Sequence, residues 1–94
     1  MNLNEIHTKK EVSAKSISGS VQANITAIQI LKNGLLKEHI TKDPALLLCV
    51  LGALEYNDEK ETKVTLRSGD FYEINPRIKH WVKGIETSQL VLIK

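Results

Sequence analysis

Aromatic side chains and cysteines are scarce in this chain. Aromatic residues make up 4% of its 94 residues, so the core has to be built from aliphatic side chains. The single cysteine, Cys49, excludes an internal disulfide framework and favours a reducing compartment. No apolar run approaches the roughly 20 residues that cross a bilayer, and the amino terminus lacks a signal-peptide core. We therefore expect a cytoplasmic location.

A dominant charge of one sign is also missing. The 13 Lys and Arg residues nearly balance the 11 Asp and Glu residues, which leaves a net charge of +2. Proteins that bind nucleic acids concentrate basic charge on one face and usually interleave aromatic residues with it. The lysines here are dispersed along the sequence, so we expect neither a nucleic acid nor a membrane as partner.

The length and the remaining composition indicate one small globular domain. Apolar residues make up 41% and charged residues 26% of the chain, which is typical of a folded protein. Residues 1–20 are polar and rich in serine, and they predict an irregular lead-in segment before a domain at residues 21–94. His7 lies in this lead-in, so we expect it to be exposed to solvent.

Period-two alternation then predicts β-strands. Apolar residues alternate with polar ones over 21–27, and the phase changes at Ala27 and Ile28, which predicts a β-bulge there. Asn33 and Gly34 predict a turn. Local propensity would permit a helix over Ala45–Leu51, but the segment has almost no polar face and Gly52 interrupts it. A strand buried on both faces is the interpretation we favour.

Short strands separated by turn residues continue to the end of the chain. We expect them at Lys63–Arg67, Phe71–Ile74, 78–82 and Ser88–Ile93, and we interpret Asp58, Glu59 and Glu61 as part of a solvated turn. Many short strands without a long helix indicate an all-β sandwich or small barrel.

The segment from Gly69 to His80 resembles the second conserved motif of the cupin family. That motif places a histidine eleven residues after its glycine, and 80 − 69 = 11 in this sequence. Asn75 stands where the motif has proline, and Arg77 stands where it has the glycine of the turn. Gly84 replaces the terminal asparagine, so the turn must be rebuilt locally.

The segment from Gly34 to Gly52 is similar to a degenerate first cupin motif. His39 matches one of its histidines, whereas Thr41 stands at the second histidine position and Ala45 at the glutamate position. The resemblance covers about residues 21–93 and implies a cupin-like double-stranded β-helix, which is a jelly-roll barrel.

The resemblance also implies where a site would lie. Cupin metal sites use three histidines and one glutamate, which suit divalent transition metals. This chain keeps two of those four ligands, His39 and His80, as the candidate metal ligands. We take His39, Thr41 and His80 as candidate ligand-binding residues, with no catalytic residue and no assigned cofactor. The alternative to a protein without a cofactor is one that binds a divalent transition metal.

Three functions remain open on the sequence. The first is a small protein that binds a small molecule in its barrel without a full metal site, and we lean towards a protein that is not an enzyme. The alternative is a metal-dependent cupin enzyme, dioxygenase-like or isomerase-like, that uses His39 and His80. The third is a purely structural barrel filled with aliphatic side chains. Edge strands in so small a barrel need covering, and cupins commonly pair, so we also expect a homodimer.

Two further residues have simple interpretations. Cys49 lies in the most apolar segment, where burial raises a thiol pKa and makes it unreactive, so we do not take it as a nucleophile. His80 shares its strand parity with Ile78 and Val82, so Trp81 points outward if His80 points inward.

Overall fold

A computed structural model describes residues 5–16 and 24–94 of the chain. The regular structure in these residues consists of nine β-strands. They are β1 (Val12–Ser16), β2 (Ile25–Ile30), β3 (Leu35–His39), β4 (Ala45–Leu51), β5 (Ala53–Asp58), β6 (Lys63–Arg67), β7 (Phe71–Ile74), β8 (His80–Gly84) and β9 (Ser88–Ile93).

The strands form two antiparallel sheets that pack face to face as a jelly-roll sandwich. The five-stranded sheet has the order β1-β2-β9-β4-β7, and the four-stranded sheet has the order β3-β8-β5-β6. The expected all-β fold is therefore confirmed. Within the described ranges, no helix is long and apolar enough to cross a membrane.

Tertiary pairing explains why β4 is a strand although its residues tolerate a helix. β4 pairs with β7 on one side and with β9 on the other, so it lies inside the sheet. Ala45, Leu47 and Cys49 face the other sheet and are buried, whereas Leu46 and Leu48 face outward and are half-buried. The predicted strand is confirmed, whereas the expected burial of both its faces is wrong, because only the inward side chains are fully buried.

The expectation of an irregular lead-in is wrong for residues 12–16. These residues form β1, which pairs with β2 from Val12 opposite Ile30 to Ser16 opposite Thr26. The expected exposure of His7 is also wrong, because its ring is half-buried and its Nδ1 lies 2.9 Å from the Ser13 hydroxyl. The boundary between residues 20 and 21 falls outside the described residues and stays a prediction.

The expected β-bulge near Ala27 and Ile28 is wrong as well. β2 pairs with β1 and with β9 without a shift of register. Ile28 and Ile30 face inward, and Ala27 faces outward and is nevertheless fully buried. An apolar residue on the outward face therefore requires no change of phase. The alternation expected over 21–23 lies outside the described residues.

The polar stretch after Gly52 contains a strand that the sequence analysis missed. β5 lies between β8 and β6, and its inward face includes Tyr56 and Asp58, both buried. The Asp58 carboxylate accepts hydrogen bonds from the Tyr56 hydroxyl at 3.0 Å and from the backbone N–H groups of Lys60 and Thr62 at 2.9 and 3.1 Å. Asp58 is thus a satisfied buried acid rather than part of a solvated turn.

Candidate functional site

His39 and His80 meet between the two sheets. β3 and β8 are neighbours in the four-stranded sheet, and the two histidines are direct partners in their register. Their Nε2 atoms lie 2.8 Å apart, and their ring centroids are 4.0 Å apart at an interplanar angle of 64°. The structure therefore brings into direct contact the two residues that the sequence analysis named as candidate metal ligands.

An irregularity in β3 makes this meeting possible. Leu36 pairs with Val82 and His39 pairs with His80, so three steps along β3 correspond to two along β8. The extra residue in β3 turns both Leu36 and His39 inward. Simple alternation would put them on opposite faces, so sequence parity could not assign the side of His39.

His80 is the buried member of the pair. It is 1% exposed, and its ring stacks at 5.8 Å from the ring of Tyr56. Burial lowers its pKa, and the neighbouring His39 ring and Lys94 ammonium group lower it further, although Asp58 and the carbonyl of Ile78 act in the opposite direction. The neutral imidazole is therefore the favoured form of His80 near neutral pH.

With both rings neutral, the pair satisfies two of its three hydrogen-bond contacts, because His80 Nδ1 also lies 3.3 Å from the carbonyl oxygen of Ile78 and carries no hydrogen when its Nε2–H is the donor. His39 Nδ1 lies 3.0 Å from the carbonyl oxygen of Lys37, and a carbonyl only accepts, so the hydrogen of His39 is assigned to Nδ1. His39 Nε2 is then an acceptor, and the Nε2–H of His80 donates to it. His80 thus holds the ring of His39 in a fixed orientation.

The surrounding donors do not fit a three-ligand metal centre. Thr41, at the position of the second motif histidine, is buried, and its hydroxyl oxygen makes no hydrogen bond with the described part of the chain. Ala45 offers no donor, and Asp58 is occupied by its own hydrogen bonds. Within the described ranges, no group of three or more His, Cys, Asp or Glu side chains could hold a metal ion. Catalytic zinc sites normally use three protein ligands.

An open groove adjoins the histidine pair. Its volume is about 740 Å³, and it lies between the β1, β2 and β9 part of the five-stranded sheet and β3 of the opposite sheet. The apolar side chains that line it are Val12, Ala14, Ile28, Leu35, Leu36 and Leu92. The polar ones are Lys10, Glu11, Thr26, Lys37, His39 and Lys94.

The two ends of the groove differ. Glu11 precedes β1, and its carbonyl accepts a hydrogen bond from Leu31, which places it at the Leu35 end of β3. Lys94 follows β9 and exchanges backbone hydrogen bonds with Asn24, next to the start of β2. We call the end of the groove near Glu11 and Leu35 the Glu11 end. The end near Lys94, where His39 also lies, is the His39 end.

The candidate residues occupy different places around this groove. His39 lines it, whereas His80 lies behind His39, and the groove lining does not include Thr41. Their roles in ligand binding stay predictions. The wall supplied by β1 was missed because its alternation, Val12 and Ala14 between polar residues, is short and follows a polar segment.

Two other residues lie where the sequence indicated. Cys49 is buried, and burial and the charge of Asp70 raise the pKa of its thiol, as expected for an unreactive cysteine. Trp81 is half-buried and faces away from the other sheet, opposite Asn57 on β5.

Comparisons with known proteins connect this geometry to one class of fold. No protein-family model matches the chain, and no curated protein matches its sequence. Solved structures do match. A cupin superfamily protein from Desulfitobacterium hafniense superposes with a TM-score of 0.85 at 15% identity, over 98% of this chain and 84% of that one.

Two further structures give the same result. An RmlC-like cupin from Shewanella frigidimarina has a TM-score of 0.80 at 16% identity and covers 95% of this chain and 80% of that one. A conserved protein of unknown function from Streptococcus pyogenes has a TM-score of 0.82 at 15% identity, over 99% of this chain and 82% of that one. The chain therefore has the cupin fold, as the resemblance implied, and this level of identity speaks for the fold alone.

Proposed function

We propose that this cupin-fold protein binds a small molecule in the groove beside His39. The observation that supports the proposal is the groove itself: an open space of about 740 Å³ with apolar walls and a few polar groups, of which His39 is held by His80. Small-molecule sites typically combine a mostly apolar concave surface with a few well-placed polar groups and have volumes of roughly 300–1,000 Å³.

The rest of the interior strengthens the proposal by contrast. On the side of β4, β5, β6 and β7, large side chains fill the space between the sheets, and the rings of Tyr56 and Tyr72 are 4.5 Å apart. The purely structural function would fill both sides in this way. Small side chains such as Ala14 and Thr26 leave the other side open.

Thermal-shift screening of a library of small acids, sugars and apolar amines tests the proposal. A compound that binds only the native state stabilises it by about 2.7 kcal/mol at a hundredfold excess over its Kd, and this added stability raises the melting temperature. The control is Ala14→Phe, which fills the groove from the exposed edge strand. We expect a hit with the wild-type protein that is lost in this variant; a library without hits, or hits that survive in Ala14→Phe, would contradict the proposal.

A metal-dependent enzyme that uses His39 and His80 is the second candidate. One observation favours it, namely the 2.8 Å approach of the two Nε2 atoms. Elemental analysis of protein purified without a chelating tag separates the two candidates. A near-stoichiometric transition metal that is lost in His80→Ala would support the enzyme; absence of a metal from protein that still binds a small molecule would support the binder.

The homodimer and the cytoplasmic location belong to the same proposal. The outward face of the five-stranded sheet supports self-association, because Val91, Leu48 and Phe71 form one cross-strand apolar row. Phe71 is 67% exposed. Sedimentation at roughly tens of micromolar should give a dimer for the wild type and a monomer for Phe71→Glu; a wild-type monomer would contradict this part of the proposal.

A further inference from the structure

We infer that the ligand of the groove is an organic carboxylate with an apolar body, with the carboxylate at the His39 end and the body along the apolar walls. The inference rests on the proposed function, because it names the class of ligand for the same groove. It depends on three independent features, which are the sign of the charge, the position of that charge and the shape of the apolar part.

The sign of the charge comes from the lining side chains. Three lysines, Lys10, Lys37 and Lys94, line the groove, against one described acidic side chain, Glu11. An apolar groove with a positive rim attracts an anion and disfavours a cation, since the low-dielectric walls strengthen the field of the charges around them.

The position of the charge follows from the strand order. Glu11 lies at the opposite end from Lys94, so it offsets Lys10 and leaves Lys37 and Lys94 beside His39. The His39 end is therefore the more positive end of the groove.

Hydrogen-bonding groups at that end suit a carboxylate. The Thr26 hydroxyl and the two lysine ammonium groups are donors, and a carboxylate offers two oxygens that only accept. Hydrogen bonds between charged groups are stronger than those between neutral ones. A neutral hydroxyl in the same place would lose that charge assistance, and an ammonium group would meet like charges.

The apolar part of the groove sets the shape of the body. Val12, Ala14, Ile28 and Leu36 line it between the two ends. The two lining residues of β1, Val12 and Ala14, are two steps of about 3.3 Å apart, so the apolar walls run for about 7 Å. A medium-length aliphatic chain fits along them, whereas acetate would leave the walls uncovered.

Calorimetric titration with four probes tests the inference. The probes are octanoate, octanol, octylamine and acetate. We expect octanoate to bind, octanol to bind about tenfold more weakly, and octylamine and acetate to give no measurable binding, because only octanoate combines the apolar chain with the negative charge.

Paired variants locate the carboxylate. The double variant Lys37→Gln/Lys94→Gln should weaken octanoate binding roughly fourfold to twenty-fivefold, at roughly twofold to fivefold for each exposed lysine, and should leave octanol binding unchanged. The matched control is Lys63→Gln/Lys83→Gln, which removes two exposed lysines on the outward face of the four-stranded sheet. The variant Phe71→Ala tests whether the aliphatic chain of octanoate binds instead to the outward apolar face of the five-stranded sheet.

The outcomes separate the inference from the proposed function. Equal affinity for octanoate and octanol, or tighter binding of octylamine, would overturn the carboxylate class and leave a small-molecule groove in place. Loss of octanoate binding in Phe71→Ala but not in Ala14→Phe would overturn the assigned place. If none of the four probes binds and the compound library still gives hits that Ala14→Phe abolishes, the carboxylate inference is wrong and the proposed small-molecule groove is supported. If the library gives no hits either, both the inference and the proposed function are wrong.

Discussion

The space between the two sheets is filled on one side and open on the other. On the filled side, Tyr56 and Tyr72 are in contact and Leu66 and Ile74 are fully buried. On the open side, Val12, Ala14 and Thr26 face Leu36 and His39 across the groove. The same two sheets thus form a packed core on one side and leave an open groove on the other, and the difference lies in side-chain volume.

The histidine pair lies on the boundary between these sides. His80 packs against Tyr56 on the filled side, and His39 lines the open groove. The fixed partner is therefore part of the core, and the partner that can meet a ligand is part of the surface. Variants on each side should report this division.

The largest effect is expected at Tyr56, on the filled side. Tyr56→Ala should lower the free energy of unfolding by about 3–5 kcal/mol, because it removes a buried ring and leaves a cavity. Tyr56→Phe should cost about 1 kcal/mol, since it removes only the hydrogen bond to Asp58. Urea denaturation measures both. A cost below about 1 kcal/mol for Tyr56→Ala would mean that this side is not the stabilising core.

The next largest effect compares the two histidines. His80→Ala should cost about 2–4 kcal/mol, because the side chain is buried and its removal leaves a cavity. His39→Ala should cost about 1 kcal/mol, since that ring is half-buried beside the groove. Equal costs in urea denaturation would break the distinction between a core member and a surface member of the pair.

A smaller effect is expected with pH. The pKa of His80 in the folded protein lies below its ordinary value of 6.5, so the unfolded chain binds the proton more readily. The contribution of His80 to stability should be fully present above pH 6.5 and should be lost as the pH drops from there towards the folded pKa. The pKa of His7 is also lowered, by burial and by Lys15, and it contributes with the same sign.

Melting temperatures between pH about 7.5 and about 5.5 measure this effect. The variant His80→Leu removes one of the two contributions and should flatten the curve. An unchanged slope in this variant would assign the pH dependence to His7 or to other groups.

The smallest effect is expected at the turn before β8. Arg77 has a φ of 62°, in the left-handed region, and its N–H donates to the carbonyl of Thr41. Arg77→Gly should raise the free energy of unfolding by about 0.5–1 kcal/mol, since glycine adopts this conformation without strain. Asn33→Gly, at a φ of 66°, is the control and should gain less, because asparagine tolerates the left-handed region. A loss of stability in Arg77→Gly would contradict the role of strain here.

The sequence predicted the filled side better than the open side. The apolar run of β4 and the spacing between Gly69 and His80 pointed to buried strands and to an inward histidine, and both features depend on local patterns. The motif position that cupins give to glycine is the position where Arg77 takes a left-handed conformation. The spacing of the motif therefore located this left-handed turn position, although arginine stands there in place of glycine.

The open side depended on features that no local pattern records. β1 has a short alternation in a polar segment, and only its pairing with β2 makes it a strand. The extra residue in β3 changes the face of His39 relative to Leu36 without any distinctive residue type. On the filled side β5 was missed as well, because Asp58 is polar in sequence but is satisfied by hydrogen bonds in the fold.

The pairing of β1 has a consequence for motion. Among the described residues, β1 ends the order of the five-stranded sheet and pairs with β2 alone, whereas β9 is paired on both sides. Its backbone amides should therefore exchange hydrogen with solvent sooner than those of β9. Because β1 forms one wall of the groove, each opening of this strand would widen the exit for a bound molecule. The lifetime of a complex would then depend on how often one edge strand detaches.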